Sequence, residues 1–293
     1  MVDQCARRTF APQKSIIGHL AALVDQKVNP SLQTHIFVGI RSIALYRVRL
    51  ISPWHTRPSD QSQIYCDLIS MRLFSASSIH KSRLHDMSGD LISVSRLLRN
   101  GPRALITTIG RVIFNVRPEL PWISYDAQAE IARRLGPNKR ALEFGSGMST
   151  AWFAARVAEI VSIEDHKGWF ETVQGKFRQR GIANAHFRLA PTKSEYLTLT
   201  EREKQGGFDF VLIDGRFRDD CVDTAISNLN PGGCIYLDNS DQVYQDEPNG
   251  SCSGARNKLH IWANENQGSV MTFTDFAPTL AFVTRGELFT RLL

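Results

Sequence analysis

The chain has 293 residues, 42% of them apolar, which suits one large domain or two small ones with a buried core. No run approaches the roughly 18–20 apolar residues of a membrane span; the nearest, HIFVGIRSIALYRVRLI, is interrupted by Arg41, Arg47 and Arg49. The net charge of +6 sits at one end: residues 1–86 hold 11 Lys+Arg and 5 Asp, and residues 87–293 hold 24 of each sign, so no nucleic-acid partner is expected for the larger part.

Residues 1–86 also lack glutamate and carry 11 serines and 5 of the 8 histidines. Three readings stand for them: a targeting segment, a small accessory domain, or a start extended upstream of the functional protein. On the last reading the functional chain opens at Met87, with MSGDLISVSRLLRN. The first 30 residues have no secretory pattern. The five scattered cysteines form no CxxC pair and read as reduced thiols, so a cytoplasmic protein is expected. Residues 91–114 alternate apolar residues with Arg96, Arg99, Arg103 and Arg111. A basic amphipathic helix can lie on a membrane surface as a peripheral contact. The favoured expectation is a helix pair, broken at Gly101-Pro102, that packs on the main domain as an N-terminal extension over residues 87–120.

From Pro121 the pattern becomes regular. SYDAQAEIARRLG reads as a helix with Ser124 as N-cap, followed by the short apolar strand RALEF. A helix from Ser149, the strand EIVSIED, the helix GWFETVQGKFRQRG and the strand AHFRLA come next. A helix near SEYLTLTEREK, the apolar strand FDFVLID and the helix DDCVDTAISNL follow. Asn230-Pro231-Gly232-Gly233 is expected to turn the chain into the strand CIYLD. Alternation of this kind implies parallel strands joined by right-handed crossovers. The end departs from it. After a helix near ARNKLHIWANEN, SVMTFTDF and TLAFVTR are separated only by Ala277-Pro278, too short a link for a parallel crossover. The expected fold is therefore α/β, a doubly wound and mostly parallel sheet over residues 121–293 that finishes in an antiparallel hairpin.

In such sheets ligands sit beyond the carboxyl ends of the strands. Gly145-Ser146-Gly147 follows the first of these strands, where glycines admit a ligand to the backbone and the next helix offers free N–H groups. Glu164, at the end of the second strand and about 20 residues on, suits a ribose diol, with Asp165 as the alternative. The third position of a dinucleotide glycine fingerprint is Thr150, and Glu143 would repel a pyrophosphate but suit an amino group. A nucleoside carrying an amino acid fits both ends, which points to S-adenosylmethionine (SAM).

ALEFGSGMST, VSIED, FDFVLIDGRFR and NPGGCIYLDNSD, in that order, resemble a class I SAM-dependent methyltransferase of the bacterial small-molecule or sugar O-methyltransferase type. The resemblance covers residues 121–293 and implies a seven-stranded sheet. It implies that Glu143 and the Gly145–Gly147 turn, with Phe144, Ser146, Ser149 and Thr150, hold the methionine end of SAM. Glu164 and Asp165 would lie at the ribose, Ala190 near the adenine, and Asp214 beside the cofactor.

Asp214, Asp238 and Arg216 are the candidate catalytic residues. Either carboxylate could serve as base or orient the acceptor, and the guanidinium could clamp an anionic group. Its alternative is a solvated arginine which, with Arg218, pairs with Asp219 and Asp220. Asp214, Asp238 and Asn239 also resemble the Mg²⁺ triad of catechol-type O-methyltransferases, which gives a metal-assisted alternative. The polar stretch from Asn239 to Arg256 is expected to form a lid over a small-molecule acceptor. A nicotinamide dehydrogenase and a SAM-binding protein without turnover are the other functional readings.

Overall fold

The computed structural model describes residues 81–116, 118–242 and 252–291. The basic segment up to residue 80 and residues 243–251, half of the expected lid, lie outside the described residues. Among the described residues no helix is long and apolar enough to cross a membrane.

The chain enters through a turn at residues 82–91, in which Asp86 accepts from the Asp90 amide and His85 bridges to Leu91. Helix α1 (Val94–Phe114) follows, capped by the Ser93 hydroxyl. The expected break at Gly101-Pro102 does not occur: Pro102 lies inside one 21-residue helix. Tertiary packing overrides the proline because Asn100 and Ala104, on either side of it, are both buried. Asn100 donates to Asp275 (2.7 Å) and Asp126 (3.1 Å), and Arg96 donates to Asp126 (2.8 Å), which ties α1 to the next helix and to the C-terminal hairpin.

Helix α2 (Tyr125–Arg134) leads into the alternating region: β1 (Arg140–Phe144), α3 (Ser149–Ala154), β2 (Glu159–Glu164), α4 (Lys167–Arg180), β3 (Ala185–Leu189), α5 (Lys193–Leu197), α6 (Glu201–Lys204), β4 (Phe208–Ile213), α7 (Arg218–Ser227), β5 (Leu229–Leu237), α8 (Ser253–Glu265), β6 (Ser269–Phe276) and β7 (Val283–Thr290). The strands form one seven-stranded sheet in the order β3-β2-β1-β4-β5-β7-β6, with β7 antiparallel to both β5 and β6. This is the mostly parallel sheet with a terminal hairpin that the sequence implies. Strand order reverses between β1 and β4, so their carboxyl ends flank the crevice where such sheets bind ligands.

Three expected boundaries move. SEYLTLTEREK divides into α5 and α6 because Thr192 and Thr200 each build a capping box, with Glu195 and Glu203 respectively. The Asn230–Gly233 turn is absorbed into β5 as an irregularity, where the register against β4 jumps from Phe208↔Leu229 to Phe210↔Cys234. The hairpin link spans residues 277–282, so Thr279 and Leu280 belong to the turn and β7 runs on to Thr290.

The sheet buries both faces. Leu142 and Phe144 of β1 join one apolar cluster with residues of α7 and α8, including Cys221, Val222 and Leu259. Ala141 joins the other, with Ile131, Phe153 and Phe177 of α2, α3 and α4. This alternation follows from the two-residue repeat of a strand. Cys221 and Cys234 are core residues, and burial pushes the Cys234 thiol up to about 12.

The expected boundary at Met87 falls inside a bonded unit. Asp86 is buried, accepts from the Thr274 hydroxyl (2.9 Å) and lies 3.8 Å from Arg285, and the Val283 amide donates to the Arg83 carbonyl. Asp86→Ala strands the Thr274 hydroxyl and the Asp90 amide. We expect it to cost about 1–3 kcal/mol in urea unfolding, as for other unsatisfied buried polar groups.

Candidate functional site

The site begins with two glycines. Gly145 ends β1 with φ +99°, and a Cβ there would meet Gly215 Cα at 2.8 Å. A Cβ on Gly215 would in turn meet the Gly145 amide at 3.0 Å and the Tyr196 hydroxyl oxygen at 2.0 Å. The turns after β1 and β4 therefore touch backbone to backbone, and only glycine permits it. Trp169 fixes the first turn from the side: its indole N–H donates to the Ser146 carbonyl (2.6 Å).

Beneath the turn, Glu143 is fully buried. Its carboxylate accepts from the Ser149, Thr150 and Ser162 hydroxyls, the last at 2.6 Å, and Ser146 bonds Ser162 at 2.7 Å. Burial pushes the Glu143 carboxyl up to about 7 against the pull of these three donors.

Above the turn lies a cleft of about 430 Å³, a size typical of small-molecule sites. Its walls include Gly145–Ser149, Glu164, Asp165, Asp214, Gly215 and Arg216, together with Trp122 and Trp169. Seven of the sequence-derived cofactor positions meet here: Gly145, Ser146, Gly147, Ser149, Glu164, Asp165 and Asp214. Four do not reach the wall. Phe144, Thr150 and Ala190 are fully buried, and Glu143 is spent on its three hydroxyls. Glu143 is thus placed to shape the turn from below, fully buried with both carboxylate oxygens bonded to hydroxyls. Trp122, Met148, Trp169 and Gly215 also line the cleft, outside the expected cofactor positions; Trp169 is expected from the sequence to pack its helix onto the sheet. Tryptophans read equally well as core residues in a sequence, and Trp122 lies in the link between α1 and α2.

Glu164 is nearly buried, and one oxygen accepts from the His166 amide (2.9 Å). Burial raises its carboxyl above the ordinary range, a shift that amide opposes. His166 caps α4 through its ring nitrogen, which accepts from the Trp169 amide. Arg216 reaches Asp165 at 2.8 Å across the mouth of the cleft, so the alternative pairing with Asp219 or Asp220 does not form. Lys193 takes Asp220, and Asp219 accepts from the Ala255 amide.

The ends of β4 and β5 bring together Asp214, Asp238 and Arg218. The guanidinium donates to the Asp238 carbonyl (2.6 Å), the Asp214 carbonyl (3.0 Å) and the Asp214 carboxylate (3.3 Å). Burial, then the charge of Asp214, pushes Asp238 well above the carboxylate range, so of the two carboxyls Asp238 is the one that keeps a proton. Its Oδ1 is buried and unpartnered.

This donor set does not fit Mg²⁺. Arg218 already places a cation between the two strand ends, one carboxyl keeps its proton, and Asn239 turns its amide N–H toward Asp238 (2.6 Å). Among the described residues no group of three His, Cys, Asp or Glu side chains is clustered as a metal site. Beyond β5, a second hollow of about 380 Å³ is lined by hydroxyl, amide and charged side chains, including Ser88, Ser240, Asp241, Arg256 and His260.

No protein-family model and no curated protein sequence matches the chain. Solved structures do. The O-methyltransferase TomG from Streptomyces achromogenes, in complex with SAM, is similar at 16% identity over 68% of this chain and 96% of that one, with a TM-score of 0.47. An O-methyltransferase from Bacillus cereus in complex with SAH shares 14% identity over 85% and 97% of the two chains, at a TM-score of 0.45. An rRNA methylase from Streptococcus thermophilus shares 9% identity over 58% and 96%, at 0.43.

A test of the Glu143 assignment is its pH signature. The folded carboxyl holds its proton more tightly than the unfolded one, whose value is 4.5. Its stabilising contribution is therefore full below about 4.5 and is lost as pH rises to about 7. Urea unfolding should show stability declining over that window, and Glu143→Gln should flatten the decline. An unchanged slope in the variant contradicts the assignment.

Proposed function

We propose that the protein is a SAM-dependent methyltransferase acting on a small, hydroxyl-bearing acceptor. The observation that carries this reading is the cleft at the strand-order reversal, with a glycine turn at one side and the Glu164 carboxylate at the other. When bound there, SAM would supply an electrophilic methyl group. The residues fit it: Glu164 offers an oxygen to a ribose diol, and the Gly145–Gly215 contact leaves backbone open to a close ligand. Trp122 and Trp169 supply flat apolar surface, and the third glycine of a dinucleotide fingerprint is replaced by Thr150, which is occupied with Glu143.

The acceptor side rests on Asp214 and Asp238. A carboxyl raised by burial, as that of Asp214 is, is a better base near neutrality than an ordinary aspartate. Asp214 is the unprotonated partner and lines the cleft, so it is the group placed to take a proton from an acceptor hydroxyl. Arg218 holds the pair in position and offsets the negative charge. Arg216, at the cleft mouth, is free to exchange Asp165 for an anionic group on the acceptor. The polar lining of the second hollow supports a hydroxylated acceptor, including a sugar.

Calorimetry with SAM, S-adenosylhomocysteine and NAD separates the readings. Heat with the two sulfur nucleosides and none with NAD is expected, and silence with both sulfur nucleosides sinks the proposal. Glu164→Ala should weaken SAM binding by about ten- to a hundredfold, the loss of charged hydrogen bonds worth roughly 1.5–3 kcal/mol. Asp214→Asn should lower kcat by about 10²- to 10⁴-fold, as expected for loss of proton transfer, and weaken SAM binding far less than Glu164→Ala does. Methyl transfer should survive a chelator at full rate. Its loss, restored by Mg²⁺, would reinstate a metal.

A further inference from the structure

Helix α1 is covered on only one side. Asn100, Ala104 and Thr108 are buried, whereas Val94, Leu98, Leu105 and Ile106 are 52–73% exposed. Val94, Leu98 and Leu105 stand at helical positions i, i+4 and i+11, which lie along one stripe. Leu91 before the helix and Phe114 and Val116 at its far end are exposed as well. The exposed apolar strip therefore spans the helix from Val94 to Ile106.

The charges on the helix are of one sign. Its 21 residues include Arg96, Arg99, Arg103 and Arg111 and no acidic residue. Arg96 is engaged with Asp126. Arg99 is 60% exposed with its nearest carboxylate, Asp126, at 3.7 Å, and the exposed Arg103 stacks over the Tyr125 ring at 4.3 Å. Arg99 and Arg103 border the strip.

We propose that this face docks on an anionic lipid surface, with Val94, Leu98, Leu105 and Ile106 at the acyl boundary and Arg99 and Arg103 against headgroup phosphates. Charge complementarity selects this occupant. A second copy would set arginine against arginine with no acidic residue on the facing helix. Residues 1–80 of the chain itself hold nine Lys+Arg, four Asp and no Glu, so they repel rather than complement the arginines. A nucleic acid would answer the charge but leave four large apolar side chains against phosphates and water. An anionic bilayer answers both features, since apolar insertion and basic residues add in interfacial helices. The proposal is independent of what the cleft binds.

Co-sedimentation of the full-length protein with vesicles tests it. Binding is expected to vesicles of phosphatidylcholine mixed with phosphatidylglycerol, to weaken with added salt, and to be much lower on phosphatidylcholine alone. Leu98→Asp with Leu105→Asp should reduce binding at least about tenfold, and Arg99→Glu should reduce it severalfold. These side chains are exposed, so thermal melting should match the parent protein. If the double variant melts early, Arg99→Glu alone decides. Equal binding by parent and variants, or none to either vesicle, overturns the proposal. So does a dimer that Leu98→Asp converts to monomer in gel filtration, or variant-sensitive binding to RNA without binding to vesicles.

Discussion

The contact between Gly145 and Gly215 is the constraint on which the rest of the site depends. The turns after β1 and β4 cross at the reversal of strand order, closer than any side chain allows. Because they cross there, Gly147 and Ser149, Asp214 and Arg216, and Glu164 from the neighbouring β2 share one cleft. Phe144 binds the Asp214 amide and Ile163 binds the Gly145 amide, so the crossing is locked into the sheet on both sides. A Cβ at either glycine would push the two strand ends apart and open the cleft floor.

The carboxylates along this edge are each neutralised by different means. Glu143 meets three hydroxyls, Asp214 meets Arg218, and Asp238 keeps a proton. Burial raises all three carboxyls, so without such partners each would carry a large desolvation cost. One guanidinium, bonded to both strand ends, is the fixed cation of the acceptor side. Its presence explains why a trio that resembles a metal site in sequence is arranged differently in space. The spacing from Asp214 to Asp238-Asn239 carries no trace of Arg218, which enters from the first turn of α7.

Much of this was legible in the chain. The two-residue and 3.6-residue repeats gave the order of strands and helices, and the short link after β6 dictated an antiparallel end. The glycine turn, Glu164 and Asp214 could be placed at one sheet edge because strand ends follow from apolar runs. Elements failed to follow the local signal where a neighbour outweighed it. Pro102 is carried through α1 by the burial of Asn100 and Ala104, and Asn230–Gly233 bulges within β5 because β4 continues to pair beside it.

Residue types and their intervals determined the layered fold, the position of the ligand edge and the carboxylates that crowd it, since all of these follow from periodicity and from what glycine and acidic residues can do at a strand end. Tertiary structure alone decided which groups face the cleft and which are spent beneath it. Glu143 is turned toward Ser149, Thr150 and Ser162 because a buried charge must take the donors its neighbours supply. Trp122 and Trp169 reach the cleft, and Arg218 reaches both aspartates, through contacts between segments far apart in the chain. No local pattern encodes such contacts, because their energy exists only once the sheet has brought the segments together.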